Sequence, residues 1–336
     1  MAQEKVSVDE LTLEDGELFH DRKGRVKAWP RPLAPLAESH GPLTSFHRHD
    51  PEVAICRAAL AGVRMMVVPF DPVDEVPRKF ATAQEFLGRL DAEVEGAARR
   101  IDECAEHGLY VPEFEGYDAP ALVDNVRIVV GVHPYGAAGV DEAALGEIEA
   151  LLCSERCVGV GEIGLDFGPY NELGEDVQLR AFRAQLRLAH EHDLPVELHI
   201  RDNPNDATCR AHALAAEVLR EEGVPARGCD LHCFTQGPEV MAPFVELGCH
   251  VAFGGAVTFA KSDDIRAAAA ACPTGQILLE TDSPYMAPVP LRGEECEPAM
   301  CAFTAGLLAD VREEAGFTRQ GTYDALWENA RRLFSA

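Results

Sequence analysis

Histidine and acidic residues follow several apolar, strand-like runs of the sequence. These residues are His133, Glu162, His199, His232, Glu280 and Asp282. Imidazole and carboxylate groups without thiolates suit Zn²⁺, Mn²⁺, Fe or Ni ions, whereas Mg²⁺ is less natural beside imidazole. One such residue alone is most often structural. Their repetition at the same end of successive strands therefore indicates metal-dependent chemistry.

Two H-x-H pairs differ in their surroundings. His47 and His49 lie in TSFHRHD, where Asp50 can cap a following helix, so this pair is predicted to end a strand. Residues i and i+2 of an extended chain point to the same side, and the pair could therefore bind one ion together. His190 and His192 end a helical pattern, in which two positions turn by about 200°. We expect their rings to diverge and to favour the helix C-terminus as cations.

Six residues are the candidate metal ligands of the sequence. They are His47, His49, Glu162, His199, His232 and Asp282. One catalytic zinc ion requires fewer protein ligands than this. The set is enough for two divalent ions that share a carboxylate.

The elements that must position these residues alternate between apolar runs and amphipathic helical patterns. The strand-like runs are VRMMVVPF, VRIVVGVHP, CVGVGEIGLD, LPVELHIR, GCDLHCF, CHVAFGGAV and QILLETDSP, and PLTSF would be an eighth. This alternation is typical of a closed (β/α)8 barrel or of an open doubly wound sheet. No G-x-G-x-x-G opens a helix, which weighs against the dinucleotide-binding version. Barrel enzymes place their active sites at the C-terminal ends of the strands.

Residues 1–40 are predicted to be an N-terminal extension on the surface, and residues 41–336 the barrel. The extension contains a possible hairpin in GELFHDRKGRVKAWP and the Pro-rich segment PRPLAPLAESHGP. Prolines at that density resist both helix and central strand. The length of 336 residues suits one barrel of roughly 250 residues with such an addition.

The composition limits the classes of partner and compartment. The 30 Lys and Arg against 57 Asp and Glu give a net charge of −27, which repels polyanions, so a phosphate-bearing substrate needs local cations. The 11 cysteines form no C-x-x-C pair, which argues against a disulfide framework or a thiolate zinc knuckle. The sequence shows no apolar leader and no membrane-spanning run, and we expect a cytoplasmic protein without membrane partners.

Six motifs resemble those of the TatD-like metal-dependent hydrolases, a branch of the amidohydrolase superfamily with a (β/α)8 barrel. They are HRH, VGVHPY, GEIGLDF, ELHIR, HCF and LLETDSPYMAP, in this order. The resemblance covers about residues 44–334. The family's first motif usually begins D-[ST]-H-x-H, whereas Ser45 and Phe46 occupy its first two places here.

The resemblance implies a site with two divalent ions, Zn, Mn, Mg, Fe or Ni. It assigns one ion to His47, His49 and Asp282. It assigns the other ion to His199 and His232, and it makes Glu162 the bridge between them. Two ions would lower the pKa of a shared water and stabilise the attacking and leaving oxygens of a hydrolysis.

Four further roles follow from the same resemblance. Asp282 would accept the proton of the water, and Glu280 would support it. His133 and Arg201 would bind substrate or stabilise charge at a phosphoryl group. Arg292, in LRGEECEP, could meet a phosphate after the last strand.

The function expected from these patterns is a metal-dependent phosphodiesterase, a deoxyribonuclease that acts on nucleic-acid ends or on a small phosphodiester. Hydrolysis of a small amide or ester is an alternative, because fold and metal site host many reactions. A catalytically inactive scaffold, whose extension binds a partner, is a third possibility.

Overall fold

Eight parallel strands form a sheet in which every strand pairs with the next one along the chain. This computed structural model describes residues 16–76 and 78–335. The strands are β1 Leu36–Glu38, β2 Val63–Phe70, β3 Val126–Val130, β4 Cys157–Asp166, β5 Val196–Arg201, β6 Cys229–Leu231, β7 His250–Phe253 and β8 Ile277–Leu279. The backbone N–H of Ser39 donates to the carbonyl of Leu279 at 2.9 Å, which joins the exit of β1 to β8. The sheet is therefore a nearly closed (β/α)8 barrel.

Helices connect the strands and cover the outside of the barrel. Those in the described residues are α1 Pro51–Leu60, α2 Pro72–Glu75, α3 Ala83–Glu106, α4 Glu142–Leu152, α5 Glu175–Glu191, α6 Arg210–Glu222, α7 Pro238–Glu246, α8 Asp263–Ala271, α9 Cys301–Glu314 and α10 Arg319–Leu333. The side chain of Thr82 caps α3 by accepting the N–H of Glu85. Phe86, Leu90 and Val94 of α3 recur at helical spacing and are buried, as the amphipathic pattern predicts.

Alternate side chains of the strands pack in two separate clusters. Met65 and Val67 of β2 belong to a cluster with Trp327 of α10. Met66 and Val68 belong to the larger cluster, which includes the buried faces of the helices. Both faces of the sheet are thus covered, which is why its strands read as continuous apolar runs.

Seven of the eight predicted strands are confirmed, and the eighth prediction is wrong. Residues 43–46, PLTSF without its first proline, form no strand. The first strand is β1, inside the segment that the sequence analysis assigned to the extension. Prolines did not prevent it because β1 has only three residues and fits between Pro35 and Pro42. The barrel therefore begins before residue 41.

The described part of the extension, residues 16–35, is fastened to the barrel. An isolated antiparallel bridge joins His20 and Val26, within the segment for which a hairpin is predicted. Phe19 packs edge-on against Trp29 and Phe303, with ring centroids 5.5 and 4.8 Å away. Residues 1–15 of the extension lie outside the described residues. Within the described ranges, no helix has both the length and the apolarity of a membrane span.

Candidate metal centre

Four histidines and two carboxylates converge at the end of the barrel where the strands finish. They are His40 after β1, His133 after β3, Glu162 in β4, His199 in β5, His232 after β6 and Asp282 after β8. This is the face on which barrel enzymes carry their active sites. The cluster agrees with the predicted location, although its membership differs from the predicted ligands.

Glu162 lies at the centre of the cluster. Its Oε1 is 3.4 Å from His133 Nε2 and 3.6 Å from His199 Nδ1. Its Oε2 is 3.5 Å from His40 Nε2 and 3.6 Å from His232 Nε2. Each carboxylate oxygen therefore faces one pair of imidazoles. Within each of these two groups of three residues, the candidate ligand atoms lie within 4.8 Å of one another.

Buried carboxylates orient two of the imidazoles from behind. Glu197 Oε1 lies 2.8 Å from His40 Nδ1, which leaves His40 Nε2 facing the cluster. Asp166 Oδ2 lies 3.0 Å from His199 Nε2, which leaves His199 Nδ1 facing Glu162. Such a carboxylate fixes the ring and its tautomer for a ligand role.

Asp282 and Glu280 occupy different positions beside the cluster. Asp282 Oδ1 is 3.7 Å from His40 Nε2, and its Oδ2 accepts a hydrogen bond from Cys233 Sγ at 3.5 Å. Glu280 Oε2 lies 3.7 Å from His232 Nδ1. Glu280 thus lies behind His232, and its negative charge adds to the effect of burial in raising the pKa of Asp282.

The imidazoles of the cluster favour their neutral form. Burial lowers the pKa of His40 to about 4. Burial also lowers the pKa values of His133, His199 and His232, and neighbouring imidazoles lower them further. A neutral imidazole has the free lone pair that a metal ligand needs.

The pKa values of the carboxylates in and beside the cluster are raised, which also favours the neutral form of these groups. Burial raises the pKa of Glu162 well above its usual value, and the nearby charge of Asp282 raises it further. Burial likewise raises the pKa of Glu280 and of Asp282 to about 7. A bound cation would reverse this, because it favours the ionised form of each carboxylate. Neutral imidazoles around a shared carboxylate are therefore a donor set that fits divalent ions.

His47 and His49 do not join this cluster, which corrects their predicted role as ligands. The backbone N–H groups of residues 47, 48 and 49 donate to the carboxylate of Glu295 at 2.7, 2.8 and 2.9 Å. The His49 ring lies beside Glu297, with Nδ1 3.9 Å from Oε2, and lines a cavity of about 390 Å³. The physical reason is the position of β1, which ends before both histidines.

His40 is the residue that the sequence analysis missed at this strand end. Glu38, Ser39 and His40 spell an acidic residue, a hydroxyl and a histidine, as in the D-[ST]-H start of the family motif. Pro42 stands where that motif has its second histidine. This pattern could have indicated His40 as a candidate ligand, but the complete H-x-H at 47–49 was chosen as the match to the motif.

The two predicted substrate-binding arginines are exposed: Arg201 is the last residue of β5, and Arg292 lies on a loop after β8. The guanidinium carbon of Arg201 lies 5.8 Å from the ring centroid of Tyr170. That of Arg292 lies 4.2 Å from the ring centroid of Phe259. His133, predicted to bind substrate or to stabilise charge, belongs to one of the two groups that could hold a metal ion.

The second H-x-H pair is separated as predicted. His190 Nε2 lies 3.1 Å from the carbonyl oxygen of Gly223. His192 Nε2 lies 3.1 Å from the Glu149 carboxylate. The two rings therefore have unrelated partners.

Known proteins that are similar to this chain include metal-dependent hydrolases. The sequence profile of a family described as TatD related DNase matches residues 39–335. The uncharacterized metal-dependent hydrolase YcfH of Escherichia coli K12 is 34% identical over 248 residues, 73% of this chain and 87% of that protein. The 3'-5' ssDNA/RNA exonuclease TatD of Edwardsiella piscicida is 34% identical over 64% of this chain and 80% of that protein. Among solved structures, the Escherichia coli TatD homologue YJJV superposes with a TM-score of 0.66 and 25% identity, covering 90% of this chain and 98% of that one.

Proposed function

Because the chain belongs to the TatD-related family of metal-dependent hydrolases, we propose that it is a divalent-metal-dependent phosphodiesterase that acts on the ends of DNA. The observation that carries the proposal is the position of Glu162, whose two oxygens each face a pair of imidazoles. The nuclease name of one relative supports the substrate class.

Two ligand groups would hold the ions. One group is His40, Glu162 and His232, with Asp282 beside it, and the other is His133, Glu162 and His199. Divalent ions bound there would supply a water of lowered pKa and would stabilise charge on the phosphoryl oxygens. Glu197 and Asp166 would keep the rings of His40 and His199 in their ligand orientation.

Asp282 is the proposed proton acceptor. Its carboxylate lies at the exit of β8, 3.7 Å from His40 Nε2. The thiol of Cys233 holds the other oxygen at 3.5 Å, so the side chain has a defined orientation. A general base needs this proximity to the reacting groups before anything else.

Cleavage of a small amide or ester is the second candidate. The net charge of −27 favours it, because the average field repels a nucleic acid. An inactive scaffold is the weakest candidate, since it would gain nothing from four imidazoles and one further carboxylate gathered around Glu162.

A substrate panel tests the proposal. Linear single-stranded DNA, its circular form, duplex DNA and a set of amides and esters are each incubated with Mn²⁺, Mg²⁺ or Zn²⁺. We expect metal-dependent release of mononucleotides from the linear strand and none from the circle. Turnover of an amide together with inert DNA would overturn the assignment.

Label position gives the polarity of the same reaction. DNA labelled at the 5' end or at the 3' end releases its label early only when digestion starts there. The matched control is Glu162→Gln, which keeps the size of the side chain and removes its charge.

A further inference from the structure

Two tyrosines flank Arg201 beside the candidate metal centre. Tyr135 is 47% exposed and Tyr170 is 76% exposed. The Tyr170 ring centroid lies 5.8 Å from the guanidinium carbon of Arg201. Burial raises the pKa of the Tyr135 hydroxyl, and the nearby charges of Asp166 and Arg201 act on this pKa in opposite directions. Exposed aromatic rings that border a cation are typical of a binding surface rather than of a structural one.

This aromatic platform, formed by Tyr135, Tyr170 and Arg201, adjoins one of the two ligand groups directly. The Tyr135 ring packs edge-on against His133, with centroids 4.5 Å apart. Arg201 follows His199 by two positions on β5, so both side chains leave the strand on the same side. A substrate atom at the metal centre therefore has the platform as its neighbour.

The loops that carry the two tyrosines are tied together. The side-chain amide of Asn171 donates to the carbonyls of Pro134 and Asp166 at 3.3 and 3.2 Å. Gly168 lies so close to Arg201 that a Cβ there would be 3.0 Å from Arg201 Nε. The absence of a side chain at Gly168 thus lets the arginine lie against the loop. The platform is held in place before any ligand arrives.

We propose that Tyr135 and Tyr170 stack an unpaired base of a single-stranded nucleic acid and that Arg201 binds an adjoining phosphate. The inference rests on the proposed function and specifies its substrate. Every base has a π-face, so such stacking is tolerant of sequence. A duplex hides its bases, and the platform therefore selects single strands. Arg201 also supplies the local cation that a chain of net charge −27 needs beside a phosphate.

The test compares two phosphodiesters in one variant. The first is a short single-stranded DNA and the second is bis(p-nitrophenyl) phosphate, which has no base. Tyr170→Ala is expected to lower the ratio of kcat/KM for DNA to that for the small substrate by about 5- to 150-fold. Most of the change should be in KM. Tyr170→Phe keeps the ring and should restore the ratio.

Two controls make the result specific to stacking. Tyr110, 70% exposed, is a matched surface tyrosine, and Tyr110→Ala should leave the ratio within about twofold of the wild type. DNA that is abasic at its terminal positions should show no further loss in Tyr170→Ala. Equal losses on both phosphodiesters, or equal behaviour of the Tyr170 and Tyr110 variants, would overturn the platform.

Direct binding separates this inference from the proposed function. The affinity of a fluorescent single-stranded DNA is measured in EDTA, so that no cleavage occurs. Tyr170→Ala should raise Kd by about 5- to 150-fold. If neither phosphodiester is hydrolysed with any metal, the proposed function is wrong. The Kd measured in EDTA still shows whether the aromatic platform binds single-stranded DNA. An unchanged Kd overturns the platform even in an active enzyme.

Discussion

His40 Nδ1 lies 2.8 Å from Glu197 Oε1, and both side chains are buried inside the barrel. The pair joins the exit of β1 to the second residue of β5, across the barrel. It leaves His40 Nε2 3.5 Å from Glu162 Oε2 and 3.7 Å from Asp282 Oδ1. We therefore propose that Glu197 positions His40 as a metal ligand, a role that the sequence motifs did not indicate.

Replacement of Glu197 tests this relationship. Glu197→Ala removes the acceptor that fixes the His40 ring, and we expect metal affinity to fall by about 10- to 100-fold. Calorimetric titration with Zn²⁺ or Mn²⁺ measures it. Glu197→Gln still accepts a hydrogen bond, so its loss should be smaller, and equal affinities in all three proteins would contradict the role.

Two histidine variants distinguish the strand-end ligand from the predicted one. His40→Ala removes a member of the cluster and should lower the amount of bound metal per chain. The His47 side chain is exposed, and only the backbone N–H of this residue donates to Glu295. The His47→Ala variant should therefore bind as much metal as the wild type does. Elemental analysis after dialysis measures both, and the reverse order of metal content would restore the original prediction.

Loss of the central carboxylate should abolish activity without unfolding the protein. Glu162→Gln removes the charge shared by both ligand groups, and we expect turnover to fall by at least about 100-fold. Circular dichroism should show an intact barrel. Asp282→Ala should behave alike, because the proposed proton acceptor is lost. Near-native turnover in either variant is the result that these roles do not allow.

The stability of the metal-free protein should depend on the charge of Glu280. Burial raises its pKa from 4.5 to about 7, so the folded state disfavours the ionised form. Stability from this group is thus fully present below the unfolded pKa and is lost as the pH rises through about 7. Glu280→Gln should therefore stabilise the metal-free protein at about pH 8 by up to about 3 kcal/mol.

The same variant should differ little from the wild type at about pH 4, where the wild-type side chain is protonated in both states. Urea denaturation at the two pH values measures the difference. A larger effect at the lower pH would reverse the sign of the linkage.

The buried ion pair between Arg57 and Glu297 should be necessary for stability. The guanidinium binds the carboxylate at 2.7 to 2.9 Å and donates to the carbonyl of Leu18. Arg57→Leu leaves a buried charge without its partner, which costs about 3–5 kcal/mol. The double variant with Glu297→Leu should recover much of the loss in urea denaturation. Equal stability of the single variant and the wild type would show that solvent reaches the carboxylate.

Prediction from sequence succeeded where an element is long and its pattern is local. The β4 run from Cys157 to Asp166 was identified with both of its ends, and it carries Glu162 in the middle. Glu162, His199 and His232, which were predicted as ligands because each belongs to such a strand or follows one directly, all lie in the cluster.

Prediction failed where the structure depends on distant partners. β1 has three residues between prolines, and it exists because β2 pairs with it and Leu279 accepts the N–H of Ser39. Neither partner is visible locally in the sequence. His40 was therefore overlooked, and His47 and His49 took its place in the prediction.

The contact between Ser39 and Leu279 gives the barrel a seam, and His40 is the next residue beyond it. Any fluctuation that parts β1 from β8 would carry one imidazole away from the other donors. Binding of a cation at the proposed centre should thus stabilise the pairing of β1 with β8, and this pairing should in turn raise the affinity for the cation. Binding of metal at the centre should consequently increase the protection of the β1 backbone amides from hydrogen exchange.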